Sequence, residues 1–273
     1  MIDIHNDRIL ILDGAMGTMI QRYGLTEEDY RKGPFSGCTK ELKGNNECLN
    51  LTHPEIIKAI HQEYIAAGAD IIETNTFSAN AISQSEYGCE AFASRMAFEG
   101  ARIAREAADE AQEIAAKVGL QRKVWVAGSI GPTSKSLSLS PDVADPAFRP
   151  YSFEQMKEAY RLQAEALLKG GADLLLIETC FDALNVKAAL AAIAACQRDS
   201  MNDGTGILPP PARGRERPGK WSGGPFQRAA CGSRIGKGPS LAGRGPVEST
   251  WYPCNDIGVG RRQERKDIDR PDS

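Results

Sequence analysis

One phrase occurs twice in this chain, as AGADIIETNTF over residues 67–77 and as GGADLLLIETCFDALN over residues 170–185. In each copy Gly-Ala-Asp closes a helical stretch, an unbroken run of Ile or Leu follows, and Glu-Thr ends the run. An apolar run without polar alternation belongs to a strand covered on both faces, as in a parallel sheet flanked by helices. A repeat of helix, buried strand and polar strand end is the pattern of a β/α barrel, whose chemistry gathers at the carboxyl ends of the strands.

Four βα units can be laid out on the first 196 residues. The first strand is expected over residues 9–12, ended by Asp13-Gly14. Thr52 is placed as the N-cap of the next helix, with Glu55 completing a capping box and Pro54 in the first turn. Ile56, Ile57, Ile60 and Tyr64 form its buried stripe, and Gly68 stops it. The second strand is expected over residues 70–75, a long Ala-rich helix over 90–117 and the third strand over 123–127. The connection that follows, 129–150, is too long for a turn and lies where a barrel loop covers substrate. Ser152 and Gln155 cap a helix that Gly170-Gly171 end; the fourth strand spans 174–179 and a last helix 183–195. No fifth strand can be read. The expected fold class is therefore α/β, the N-terminal half of a TIM-type (β/α)8 barrel, followed by an irregular or disordered tail.

The division falls between residues 1–196, a partial barrel, and 197–273. Gly and Pro supply 22 of the last 77 residues against 20 of the first 196, and 14 basic residues there face 9 acidic ones. No apolar period of strand or helix survives in that tail. Strings such as PPPARGRERPGK and GPSLAGRGPVES have the look of a GC-rich gene read out of frame from about residues 196–203; the alternative is a genuine disordered extension. A nucleic-acid partner is not expected, because no Arg-Gly-Gly unit repeats and the aromatic residues are scattered. The start of the chain is polar and the longest apolar runs are strand-length, so a cytoplasmic protein without membrane contact is expected. The seven cysteines, at 38, 48, 89, 180, 196, 231 and 254, form neither a disulfide framework nor a Cys-x-x-Cys knuckle.

Strand alternation places Leu174, Leu176, Glu178 and Cys180 on one face of the fourth strand. A Glu facing inward at a strand's end calls for a cation, either a neighbouring Lys or Arg of the barrel or a ligand ammonium or guanidinium. Gly14 and Gly17 flank a tight turn in which a missing Cβ admits close backbone approach to a ligand. Thr74, Asn75 and Thr76 end the second strand with three hydrogen-bonding side chains, suited either to a carboxylate or to capping the next element. His5, His53 and His61 are poor catalytic candidates, the first in a terminal arm and the others on or beside an amphipathic helix.

Several words of the sequence stand in the order and at the spacing of one family. They are Asp13-Gly14-Ala15-Met16-Gly17-Thr18, Gly44-Asn45-Asn46, Glu73-Thr74-Asn75-Thr76-Phe77, Gly128-Ser129-Ile130-Gly131-Pro132-Thr133, Ser140-Pro141-Asp142, Asp145-Pro146-Ala147-Phe148-Arg149, and Glu178-Thr179 with Phe181-Asp182. Over residues 8–195 the chain resembles the zinc-dependent homocysteine S-methyltransferases, and within them the homocysteine module of cobalamin-dependent methionine synthases. The resemblance implies methyl transfer from methylcobalamin or methyltetrahydrofolate to homocysteine, with zinc and cobalamin as cofactors and the cobalamin and folate modules of a larger methionine synthase as partners. It also implies that Asp13 and Glu178 hold the homocysteine amino group, with Gly14, Thr74, Asn75 and Thr76 as further substrate-binding positions. The family binds zinc through three cysteines, in a Gly-x-Asn-Cys segment and in Gly-Gly-Cys-Cys-Gly, and this sequence contains neither. No catalytic or metal residue is therefore assigned, and an inactive chain is expected. The alternatives are an S-methylmethionine- or betaine-type methyltransferase, and a non-enzymatic remnant with a basic tail.

Overall fold

The computed structural model describes residues 9–202, with side chains to residue 198. Its helices are α1 (Met16–Gln21), α2 (Glu27–Tyr30), α3 (Leu49–Thr52), α4 (Pro54–Ala67), α5 (Ala81–Gln84), α6 (Ala93–Lys117), α7 (Phe153–Lys169) and α8 (Ala183–Asn202). The strands β1 (Ile71–Glu73), β2 (Trp125–Ile130) and β3 (Leu174–Ile177) form one parallel sheet in the order β1-β2-β3. The first expected strand is reduced to a single parallel bridge, Leu12 opposite Ile71. The amides of Asp70 and Ile71 both donate to the Ile11 carbonyl, at 2.8 and 3.1 Å, while the Ile11 amide donates to the Asp70 carboxylate at 3.0 Å. Two donors on one acceptor break the even exchange of a parallel ladder, so this segment pairs at a point. Spatial order nonetheless follows chain order, as in a β/α barrel.

Tertiary contacts moved several boundaries. β2 begins at Trp125 and reaches Ile130, beyond the expected 127, because Gly128 leaves room for Leu167 and Leu175 to pack over it. Thr52 does not cap α4. It completes α3, His53 is the N-cap, and Pro54 follows at the first helical position. The Glu55 carboxylate consequently meets the His53 ring at 2.8 Å instead of closing a capping box. The box at Ser152 and Gln155 forms as expected, and Gly68 ends α4 with φ of 111°, a left-handed conformation that glycine adopts without strain. The last helix runs to Asn202, past the division at 196; the rest of the expected tail, 203–273, lies outside the described residues, as do Cys231, Cys254 and His5.

The helix-facing side of the sheet is the core. Val126, Ile130, Leu175 and Ile177 are buried there with Leu167 and Tyr160 of α7 and the alanine face of α6. The small residues bring backbones close: a Cβ at Gly170 would stand 2.4 Å from the Phe98 carbonyl oxygen.

His61 of α4 is fully buried, with no hydrogen-bond partner on either ring nitrogen. Burial pushes its pKa down to about 4. Because the folded state resists protonation that the unfolded chain accepts near pH 6.5, the contribution of His61 to stability is expected to fall as pH drops from about 6.5 to 4, by up to about 1.4 kcal/mol per pH unit. Denaturant titrations across that range should show the stability difference between wild type and His61→Leu shifting against the wild type as pH drops.

Candidate active site

Asp13, Glu73 and Glu178 come together at the carboxyl ends of the Leu12 segment, β1 and β3. Alternation sets the last two: Ile72 and Ile177 are buried toward the helices, so Glu73 and Glu178 fall on the opposite face. The Asp13 carboxylate accepts the Glu73 amide through both oxygens at 3.1 Å, and the Glu73 side chain is hydrogen-bonded to Glu178. Glu178 also accepts the Ser129 hydroxyl. Among the described residues no Lys or Arg pairs with any of the three.

With no Lys or Arg beside them among the described residues, Asp13 and Glu73 are pushed toward their neutral forms. Burial raises the Asp13 pKa to about 7; the amides of Glu73 and Asp13 oppose the shift and the Glu178 charge adds to it. Glu73 is pushed up further, by burial first, then by the charge of Glu178 and its hydrogen bond, and then by Asp13. A ligand ammonium placed among them would supply the missing charge and displace protons. Thr179, next to Glu178, has φ of 51°, the one positive φ outside glycine among the described residues. For a β-branched residue this conformation costs on the order of 1–3 kcal/mol, a cost commonly met at ligand sites.

The other expected positions lie around this cluster in different ways. Thr74, Asn75 and Thr76 are buried and hydrogen-bonded within the scaffold. Thr74 Oγ1 accepts the Ser129 amide at 3.0 Å and meets Thr76 Oγ1 at 2.6 Å, and Thr76 Oγ1 donates to the Ser129 carbonyl at 2.8 Å. That ring fixes Ser129, which in turn holds Glu178. Asn75 donates to the Asn46 carbonyl and to Asn50 Oδ1 at 2.8 and 2.9 Å, tying the Gly-Asn-Asn segment to the strand end. At Gly14 a Cβ would press on the Tyr64 ring at 3.1 Å, and Tyr64 donates to the Ala15 carbonyl at 3.2 Å. The close neighbour of this glycine is thus a tyrosine that sets the turn carrying Asp13.

Glu73 was not among the expected site residues. Its signal is the repeat itself, since Glu73 and Glu178 occupy the same place in the two copies. Asp182 was also overlooked. It accepts the hydroxyls of Ser136 and Ser138 at 2.5 and 2.7 Å and the Ser138 amide at 2.9 Å, bonds that outweigh its burial and hold its carboxyl well below the usual range. It pins the long loop to the start of α8, helped by Asn185, which donates to the Lys135 carbonyl and accepts the Leu137 amide.

Gly100 of α6 is a further hidden requirement, because a Cβ there would lie 2.5 Å from Thr76 Cγ2 and 2.7 Å from Asn50 Nδ2. Ala would normally favour a helix over Gly by about 1 kcal/mol. Here Gly100→Ala is expected to destabilise by about 1–3 kcal/mol through overpacking, measurable by urea denaturation.

A sequence profile of the family described as homocysteine S-methyltransferase matches residues 10–208. The chain belongs to this family. The match runs past residue 195, where the expected resemblance ends, and includes the whole of α8. Among solved structures the chain is similar to the homocysteine methyltransferase MmuM from Escherichia coli. With the metallated form it shares 27% identity over 70% of this chain and 60% of that one, at a TM-score of 0.53. The oxidised form gives 26% identity over 68% and 58%, at 0.52. The chain thus spans about 60% of the length of that relative. The α/β organisation with a parallel sheet agrees with this family's fold.

The metallated relative raises the question of a metal. Among the described residues no group of three or more His, Cys, Asp and Glu side chains is arranged to hold one, at the half-buried Cys180 or elsewhere. These residues do not fit a zinc centre. Nor does any helix among them have the length and apolarity to cross a membrane.

Proposed function

We propose that residues 9–202 are the amine-recognising half of a homocysteine S-methyltransferase, in which Asp13, Glu73 and Glu178 receive the α-ammonium of homocysteine. The observation that carries this is a cluster of three carboxyls at strand ends with no Lys or Arg paired to it among the described residues. Gly14 admits the Tyr64 ring that sets the Asp13 turn; Thr74 and Thr76 position Ser129 and through it Glu178; Asn75 braces the strand end. Bound between the carboxylates, the amine is fixed so that the rest of homocysteine extends across the mouth beneath the 129–150 connection.

The donor has two readings. Ser140-Pro141-Asp142 and the Asp145-to-Arg149 segment favour the methionine synthase type, with methylcobalamin recharged from methyltetrahydrofolate on partner modules. The likeness to MmuM, titled a homocysteine methyltransferase, favours a type acting on a small donor such as S-methylmethionine or betaine. In either case homocysteine reacts as a thiolate, and a thiol with pKa near 8.5 is only a few per cent ionised at neutral pH without activation. Since the cysteine segments that carry the family's zinc are absent from this sequence, the chain is proposed to bind homocysteine without methylating it. Purified protein supplied with zinc, homocysteine and each donor in turn should give no methionine and hold no stoichiometric zinc by elemental analysis. Turnover with any donor would overturn the proposed inactivity and name the donor.

A further inference from the structure

Three cysteines far apart in sequence, Cys38, Cys48 and Cys89, meet away from the carboxylate cluster. Cys38 Sγ lies 3.8 Å from Cys89 Sγ, and the Cys89 thiol is also hydrogen-bonded to Cys48. Cys38 is half-buried, and the other two are buried. The segments bearing the first pair are held together on either side. Phe35, three residues before Cys38, packs edge-to-face on Phe92, three residues after Cys89, with ring centroids 5.0 Å apart. Lys40 donates to the carbonyls of Ser85 and Glu86, both at 2.9 Å. The two sulfurs therefore face each other across a joint whose ends are already fixed.

We propose that Cys38 and Cys89 form a modification site, a dithiol that a low-molecular-weight disulfide oxidises to an intramolecular disulfide. Cys38, the accessible member, attacks one sulfur of the oxidant as its thiolate, forming a mixed disulfide and releasing one thiol of the oxidant. Cys89 then loses its proton and attacks Cys38 Sγ, expelling the second thiol. Two protein thiols are oxidised by two electrons, and one disulfide is reduced to two thiols. Closure brings the sulfurs from 3.8 Å to the roughly 2.05 Å of a bond, with Cys38 in an irregular segment free of helix or strand. Burial, with the neighbouring Cys38 thiol, pushes the Cys89 thiol up to about 12, so the second step is slow and Cys38 is the entry point. The bond would fasten the joint next to Glu86, whose carboxylate holds Ser134 and Lys135 at the start of the long loop.

The three thiols lie on separate tryptic peptides, 33–40, 44–58 and 59–95. The folded full-length chain is incubated with oxidised glutathione, trapped by acid and alkylation, digested and mapped by mass spectrometry. The expected product is peptide 33–40 joined to 59–95, two hydrogens lighter than the sum, with 44–58 alkylated only after denaturation. Cys38→Ser, at a half-buried position, should abolish the cross-link and leave Cys89 unmodified. Glutathione retained on Cys38 without a cross-link, a bond between Cys89 and Cys48, or an unreacted Cys38 would each overturn the assignment.

Discussion

Asp13→Asn and Glu178→Gln are each expected to weaken homocysteine binding about ten-fold or more. A charge-assisted hydrogen bond contributes about 1.5–3 kcal/mol, and about 1.4 kcal/mol is a factor of ten in affinity. The double variant should lose less than the product of the single losses, because the two carboxyls share one ligand charge and sit in one network. Glu73→Gln should weaken binding least, since Glu73 is the member most strongly pushed toward its neutral form by burial and by Glu178. Calorimetric titration with L-homocysteine under reducing conditions measures all four. Unchanged affinity in both single variants would remove the cluster from the substrate site.

The carboxyl cluster of the unliganded protein is expected to contribute less stability as pH rises from about 4 to 7, and homocysteine should restore what is lost. The folded pKa of Asp13 stands near 7, while an unfolded Asp titrates near 3.9. Between these values the folded state holds the extra proton, so this contribution is complete below the lower value and gone above the upper one. For Asp13 it amounts to at most about 4 kcal/mol, reduced by solvent because the residue is only partly buried. Glu73, raised for related reasons, acts in the same direction. Relative to wild type, Asp13→Asn should therefore remove a loss of stability with rising pH over this range, whereas His61→Leu removes an opposing gain over the same range. Ammonium binding near pH 7 should release protons, seen as a binding enthalpy that varies with the ionisation enthalpy of the buffer. A stability profile that Asp13→Asn leaves unaltered would contradict the raised ionisation.

Much of this was legible because the Gly-Ala-Asp repeat states both the strand period and the polar residue that ends each strand. β1 and β3 fall within their expected spans, and the inward turn of Glu178 follows from alternation alone. The role of Glu73 was equally present in the repeat, but an isolated Glu carries no sign of the other carboxyls near it; those come from different strands. Thr74, Asn75 and Thr76 offer side chains whose use depends on what lies opposite. Ser129, Asn46 and Asn50 take them up, and none of these is near in sequence. Thr52 shows the limit of local rules, since a residue suited to capping one helix instead ends another when Pro54 fixes the start one residue later. The need for a bare Cα at Gly100 arises from Thr76 and Asn50 pressing on it, a tertiary contact that helix propensity cannot express.

The central claim is that this site reads the amino group. The most direct measurement compares calorimetric binding of L-homocysteine with that of 4-mercaptobutanoate, which keeps the thiol and the carboxylate and lacks the amine, at pH 7 and low salt. Three carboxyls without a cation should bind the amine-bearing ligand at least about ten-fold more tightly, and that preference should shrink in Asp13→Asn. Equal affinity for the two ligands would contradict the account.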